Sequence, residues 1–320
     1  FTSPHVERIH ERFAVGGEDV TDMQLSALMD RVVTPTAQDE AAFFELATVM
    51  AVELAASQSA DLLLLEAGVG AAADATMAVD GVVLTVITNV GEDHLATIGP
   101  TLRDVATDKA AAIRPGVPVV AGASAPADAW LRAIARERRS PLTEVAPLGR
   151  ARGGERVTEH GARLAAAALG HLVPESILDV AVRAAACDPS LPARREWFTL
   201  PQGKRVLLDG AHNPPAVMVL ASELPKDAHV LLGVAARKDA TSILACFAEH
   251  SNVGLTAAIA GESPFGDHPS FRADPLEALD HALARLEDGG NLVVTGSFYL
   301  AGAVRPILRE RAGATIRSTT

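Results

Sequence analysis

An α/β protein of two domains, with mostly parallel sheets covered by helices, is what this sequence predicts. Three observations carry that expectation. Short continuous apolar runs alternate with helix-like stretches, the pattern of a doubly wound sheet. The 320 residues exceed what one core usually organises. Hydrophobic residues make up 48% and charged residues 21%, a globular balance.

The apolar runs are Asp61–Glu66, Val82–Thr88, Val117–Ala121, Arg205–Asp209, His229–Gly233, Leu255–Gly261 and Asn291–Thr295. Each ends in a polar or glycine-containing turn, and runs of this length suit strands buried on both faces. Between them, helices are expected over Asp39–Ala56, Leu102–Ile113, Pro126–Arg138, Arg163–Leu169, Glu175–Ala186, Pro215–Glu223 and Asp274–Glu287. Pro126 and Pro215 suit the first helical position, where no N–H partner is needed. Thr101 with Asp104 reads as an N-cap followed by a first-turn acid. Residues 146–160 read as turn-rich surface, and two prolines in Cys187–Arg195 mark a domain boundary.

Composition excludes several function classes. The formal charge is −12, from 28 basic and 40 acidic residues. The densest basic run, RERR near residue 136, is a solvated helix face, so nucleic acid is not an expected partner. Cys187 and Cys246 lie outside any C-x-x-C spacing, which disfavours a disulfide framework or zinc site and favours a reducing, cytoplasmic setting. No apolar stretch is long enough to span a bilayer, and no signal peptide is visible. Phe1-Thr2-Ser3-Pro4-His5 reads as a strand end entering a turn, so the 320 residues are expected to be part of a longer or processed chain.

Ligands of parallel sheets bind beyond the carboxyl ends of the strands, so the residues there are the candidates. Glu66 followed by Ala67-Gly68-Val69-Gly70 suits a hard metal ion beside a phosphate, or a carboxylate capping the next helix. His94, after Glu92 and Asp93, is a metal ligand or a histidine bonded to loop backbone. Lys109, in an Ala-rich helix, reads by itself as solvent-facing. Asp209, His212 and Asn213 form a dense polar turn, or a capped helix start. Ser297 and Tyr299, the single tyrosine, either hold a carboxylate or cap a helix. There is no Ser/His/Asp triad spacing, H-E-x-x-H, G-x-G-x-x-G or G-x-x-x-x-G-K-[ST] motif.

Taken in order, six segments carry a resemblance: FTSPHVERIHERFAVGGEDVTD at 1–22, FFELAT at 43–48, LLEAGVGAAADAT at 64–76, the stretch 85–120, LLDGAHNP at 207–214 and VTGSFYL at 294–300. Together they resemble the folylpolyglutamate synthase/dihydrofolate synthase branch of the Mur ligases. The resemblance implies a Mur-ligase-like ATPase domain at 1–190 and a Rossmann-like domain at 191–320, with the reaction in the cleft between them. It implies an ATP-dependent ligase that phosphorylates a carboxylate of dihydropteroate or of a folate glutamate tail and joins L-glutamate to it. Mg²⁺ and cationic side chains would stabilise the developing charge. Residue by residue, it places Ser3, Glu66 and His94 at the magnesium site and makes Lys109 the lysine that this family carbamylates. Asp209, His212 and Asn213 fall at the element facing ATP and glutamate, Arg194 at the domain-junction arginine, and Ser297 and Tyr299 near glutamate. A monomer without nucleic-acid or membrane partners is expected.

Departures from the family pattern accompany the matches. The family's phosphate loop precedes the T-S-P-H motif, and these 320 residues begin at that motif, which implies little or no ligase activity for them alone. The first strand–loop–helix unit is then also missing, and a raw sheet edge or exposed apolar face is expected. Gly70-Ala71-Ala72 stands for Gly-Gly-Arg, Met77 for an Asn, and Leu164 for an ATP-contacting Asn, while the region between Ala121 and His160 is short. Two alternatives follow: a non-catalytic paralogue that binds or scaffolds, and a Mur-type ligase for another acid.

Overall fold

The computed structural model describes residues 1–36, 40–92, 94–147, 157–174, 177, 191–236, 238–250, 252–258, 263–266 and 268–317. The expected helix at 175–186, most of the turn-rich stretch 146–160, and Cys187 lie outside them. The chain forms two compact units. One comprises Phe1–Pro4 and Ile9–Pro189, the other His5–Arg8 and Ser190–Thr320.

The first unit opens with a short hairpin, β1 (Ala14–Val15) and β2 (Glu18–Asp19), and helices α1 (Asp22–Val32) and α2 (Phe43–Ser57). Phe13, Leu25, Leu28, Met50 and Leu54 form the core between these helices. A three-stranded parallel sheet follows: β3 (Thr85–Ile87), β4 (Val119–Ala121) and β5 (Leu142–Glu144), in that order. It packs Ile87, Val119 and Ala121 against Val105 of α4 (Leu102–Ala110) and Leu131 of α5 (Ala127–Glu137). Before α4 comes the short α3 (Leu95–Ile98), and α6 (Val157–Leu172) ends the described part of the unit apart from residues 173–174 and 177. Thr101 caps α4 as expected, accepting from the Asp104 N–H at 3.2 Å while the Asp104 carboxylate accepts from the Thr101 N–H at 3.0 Å.

Two sequence expectations are corrected here. Residues 61–66 form no sheet strand. Their main-chain partner is the first residue: the Phe1 amine donates to Leu64 O at 2.8 Å and the Glu66 N–H to Phe1 O at 3.1 Å. Leu65 packs inward while Leu62 and Leu64 face solvent, so one face is buried rather than two. With Val83 and Val86, these leucines are among the exposed apolar residues of this unit. The second correction concerns proline: Pro126 is the N-cap of α5, and Pro215 is the second residue of its helix, behind Pro214.

The second unit is a six-stranded sheet in the order β10-β9-β8-β11-β7-β6. Its strands are β6 (Glu196–Thr199), β7 (Arg205–Leu208), β8 (His229–Val234), β9 (Asn252–Ala257), β10 (Phe271–Arg272) and β11 (Asn291–Thr295). All neighbours are parallel except β6, which runs antiparallel to β7. Side chains alternate across the sheet. Val206, Leu208, Leu231 and Val294 face α9 (Pro275–Ala284) and α10 (Phe298–Arg317). Leu207, Val230, Leu232 and Val293 face the opposite side, toward α7 (Pro214–Glu223) and α8 (Ala240–Ala245). The chain therefore leaves the adjacent strands β7 and β11 toward opposite faces, and a crevice opens at their carboxyl ends, the switch point where α/β sheets bind ligands. Among the described residues no helix is long and apolar enough to cross a membrane.

Helix α10 touches the segment His5–Arg8 closely. A Cβ added at Gly302 would lie 2.2 Å from Val6 O, whereas one at Gly313 meets open space. Gly302→Ala is therefore expected to lower the unfolding free energy by about 1–3 kcal/mol. Gly313→Ala leaves it unchanged or raises it by a few tenths. Urea melts of the two variants check the pair.

Candidate active site

The crevice of the second unit is built on Asp209, the residue after β7. One carboxylate oxygen accepts from the Arg195 N–H at 3.0 Å, the other from the Ala211 N–H at 2.9 Å. Burial pushes the carboxyl above the usual range, while those two N–H groups and the charges of Arg195 and Arg194 pull it back. Asp209 thus pins two loops together. The Gly210 N–H donates to Ala193 O at 2.7 Å, a second tie between the same loops.

His212 donates through Nδ1 to Gly210 O at 2.9 Å, which fixes the tautomer and leaves Nε2 carrying the lone pair. Its ring meets the edge of Phe298, with centroids 5.7 Å apart. On the same Phe298 ring, the Arg194 guanidinium stacks at 4.6 Å. A cation and an imidazole are therefore held on one aromatic platform. Gly210 makes room for it: a Cβ there would lie 2.3 Å from the Phe298 ring. Asn213 is the N-cap of α7, accepting from the Ala216 N–H at 2.9 Å. Ser297 is buried and caps α10, accepting from the Tyr299 N–H at 3.0 Å, which leaves its hydroxyl hydrogen to donate. Tyr299 is exposed.

The turn that carries Arg194 is held from below. Ala193 and Arg195 both take left-handed backbone, at φ 52° and 56°. Glu196 accepts from the Ala193 N–H at 3.0 Å and receives two parallel bonds of 2.8 Å from Arg305. Arg305 also bonds Glu7, and Arg309 reaches the other oxygen of Glu7 at 2.8 Å. Arg305, Glu7 and Glu196 keep only 11–12% of their side-chain surface exposed. Burial opposes the Arg305 charge, but the two carboxylates outweigh it and push its pKa up.

In the first unit, Ser3 and Glu66 come together. One Glu66 oxygen accepts from the Ser3 N–H at 2.7 Å and from the Thr2 hydroxyl, which orients the exposed carboxylate and leaves the other oxygen without a bond among the described residues. A positioned hard oxygen suits Mg²⁺. His94 is half-buried, in left-handed backbone at φ 55°, as the N-cap of α3. Lys109 is half-buried near the end of α4, and no described hydrogen bond or ion pair joins it to Ser3, Glu66 or His94. Its neighbour Asp108 accepts from the Ala71 and Ala72 N–H groups at 2.7 and 3.2 Å, so α4 anchors the loop after Glu66. Gly70 is required there, because a Cβ would meet Asp108 at 2.1 Å at φ 66°. Among the described residues no three His, Cys, Asp or Glu side chains converge as a metal group.

No protein-family model matches the chain. The chain is 26% identical to the dihydrofolate synthase/folylpolyglutamate synthase of Escherichia coli, covering 97% of this chain and 80% of that one. It is 28% identical to a probable bifunctional folylpolyglutamate synthase/dihydropteroate synthase of Haloferax volcanii, covering 95% of this chain but 42% of that protein. The structure superposes with a TM-score of 0.82 on the bifunctional Yersinia pestis enzyme complexed with AMPPNP and Mn ion, at 26% identity, covering 97% of this chain and 81% of that one. Over nearly its whole length the chain is thus similar to folylpolyglutamate synthase/dihydrofolate synthases.

A solved Escherichia coli protein in complex with DHPP and ADP also matches, at a TM-score of 0.80 and 25% identity, over 97% of this chain and 81% of that one. The platform residue Phe298 was missed in the sequence, although it sits between two residues that were singled out. An aromatic in a chain with only 4% aromatics was the available signal. Arg305, Glu196 and Glu7 were missed because no local spacing links them.

Removing Arg305 leaves two carboxylates buried without their shared cation. Arg305→Met is expected to cost about 3–5 kcal/mol, measured by urea unfolding, with Arg309→Met, at an exposed site, costing under about 1 kcal/mol.

Proposed function

We propose that the protein is an ATP-dependent ligase that adds L-glutamate to dihydropteroate or to folate, as a monomer in the cytoplasm. The observation that carries this reading is the Arg194–Phe298–His212 platform beside Asp209 at the switch point of the second unit. A carboxylate is a poor electrophile, so transfer of the γ-phosphoryl of ATP to a carboxylate oxygen, with release of ADP, makes the acyl carbon attackable. The glutamate amine then forms the amide bond, and phosphate leaves.

The residues divide this work. Arg194 is permanently charged and pre-oriented by stacking, so it binds phosphoryl or carboxylate oxygens without first being ordered. His212 offers Nε2 to accept the proton that the attacking amine loses. Asp209 keeps the loops of Arg194 and His212 in register. Ser297 donates to a glutamate carboxylate, with Tyr299 at its rim and Asn213 holding the start of α7. In the first unit Ser3, Glu66, His94 and Lys109 would hold Mg²⁺, Lys109 as a carbamate. That ion supplies charge neutralisation for the phosphates when bound.

The full-length protein, incubated with ATP, Mg²⁺, L-glutamate and dihydropteroate or a folate, is expected to form ADP only when the pteridine acceptor is present. His212→Ala should lower kcat by about a hundredfold or more. Gly210→Ala, which displaces the Phe298 ring, should lower activity while the protein stays folded. Absence of acceptor-dependent ADP with every folate tried would refute the assignment and favour a binding or scaffold role, whereas ADP formation with a different acid would assign another Mur-type ligase.

A further inference from the structure

The far end of the second unit's sheet carries a different chemistry. At the amino-terminal ends of β8 and β9, opposite the crevice of Asp209 and His212, lies a cavity of about 260 Å³ between the sheet and α9. Its polar wall is formed by His229 of β8, Arg272 of β10, and His281 and Arg285 at the end of α9, with the Ser270 hydroxyl and the Asn252 amide beside them. Among the described residues no Asp or Glu lines it, in a protein of net charge −12. Arg272 donates to His281 Nε2 at 3.1 Å, so that imidazole is neutral and accepting. Burial and the neighbouring arginines hold both histidines below their usual pKa: Arg285 acts on His229, against Asp227, and Arg272 and Arg285 act on His281.

Cations in the last turn of a helix offset its dipole, which accounts for His281 and Arg285. It does not account for His229 and Arg272, which arrive on strands and point into the same space. The floor is apolar, with Leu231, Ala278 and Ala282, and Gly254 leaves it open. A Cβ at Gly254 would meet its nearest neighbours only at 3.8 Å. Two guanidinium groups, two imidazoles able to charge, a hydroxyl and an amide above an aliphatic floor match one oxyanion on a small apolar body.

We infer that this cavity is a second ligand site, separate from the ligase crevice, which binds a small molecule bearing a single phosphate or carboxylate group. An anion placed there favours both imidazolium forms, so binding takes up protons and tightens as the pH falls into and below the usual histidine range. The inference does not depend on the ligase reading.

The test follows the imidazole C–H resonances of His229 and His281 in the full-length protein, assigned with His229→Gln and His281→Gln. Phenyl phosphate and benzoate are the probes, one for each head group. The expected result is a saturable shift of both resonances by at least one probe, with their pKa raised in the complex. The probe that binds more tightly assigns the head group. Arg272→Gln/Arg285→Gln should weaken that binding at least about tenfold, and Gly254→Val, which fills the floor without disturbing backbone, should weaken it as well. Unmoved resonances with both probes overturn the site, as does binding that neither variant weakens. Should the double variant fail to fold, Gly254→Val alone decides the matter.

Discussion

Arg305 lies beneath two carboxylates from distant parts of the chain, Glu7 and Glu196, and much of the second unit's crevice rests on that shared charge. Three ionised groups so little exposed are unfavourable unless each finds its counterpart. Here the bidentate pairing with Glu196 supplies geometry as well as charge. Glu196 then uses one oxygen to fix the Ala193 N–H, Ala193 O takes the Gly210 N–H, and Arg195 donates to Asp209. Left-handed backbone at two non-glycine residues costs roughly 1–2 kcal/mol each. The bonds running from Arg305 to Asp209 are what make that conformation the stable one. Arg194, between the two, inherits its direction from them.

The layout of the second unit was largely legible because its strands are buried on both faces. RVLLD, HVLLG and NLVVT have no polar interruption, and each became a parallel strand close to its expected bounds. Elements that obey other rules were not legible. β6 is EWFT on the sheet edge, with Trp197 outside under Arg205 and only Phe198 inside. α10 contains Gly302, Pro306 and Gly313, residues that argue against a helix locally. Tertiary burial of Leu300, Ala301, Val304 and Leu308 overrides them. DLLLLE failed in the opposite sense. Its composition reads as a two-faced strand, but its main-chain partner is the single residue Phe1, and its leucines divide between core and solvent.

The same distinction governs the candidate site. Asp209, His212 and Asn213 are contiguous and polar after an apolar strand, so their prominence was readable, but their separate duties were not. Only coordinates distinguish a carboxylate bridging two loops from an asparagine capping a helix. Phe298 escaped notice because a benzyl side chain beside Ser297 and Tyr299 reads as core. Its ring instead separates a cation from an imidazole, a role that depends on Gly210 having no side chain.

Orientation, more than charge, separates the two carboxylates nearest the proposed chemistry. Glu66 is exposed, and the Ser3 N–H and Thr2 hydroxyl occupy one of its oxygens, so the other is presented outward in a set direction. Asp209 has both oxygens engaged by backbone N–H groups and is pushed toward its protonated form by burial. A carboxylate with a spare, directed oxygen is suited to hold a hard cation. One with a backbone N–H on each oxygen is also suited to hold two loops together. Each Asp209 oxygen keeps a second lone pair, so these bonds can persist while the carboxylate also meets a ligand in the crevice. What the two bonds of Asp209 do in the fold is hold the loops of Arg194 and His212 in register, so the guanidinium and the imidazole depend on that carboxylate for their placement.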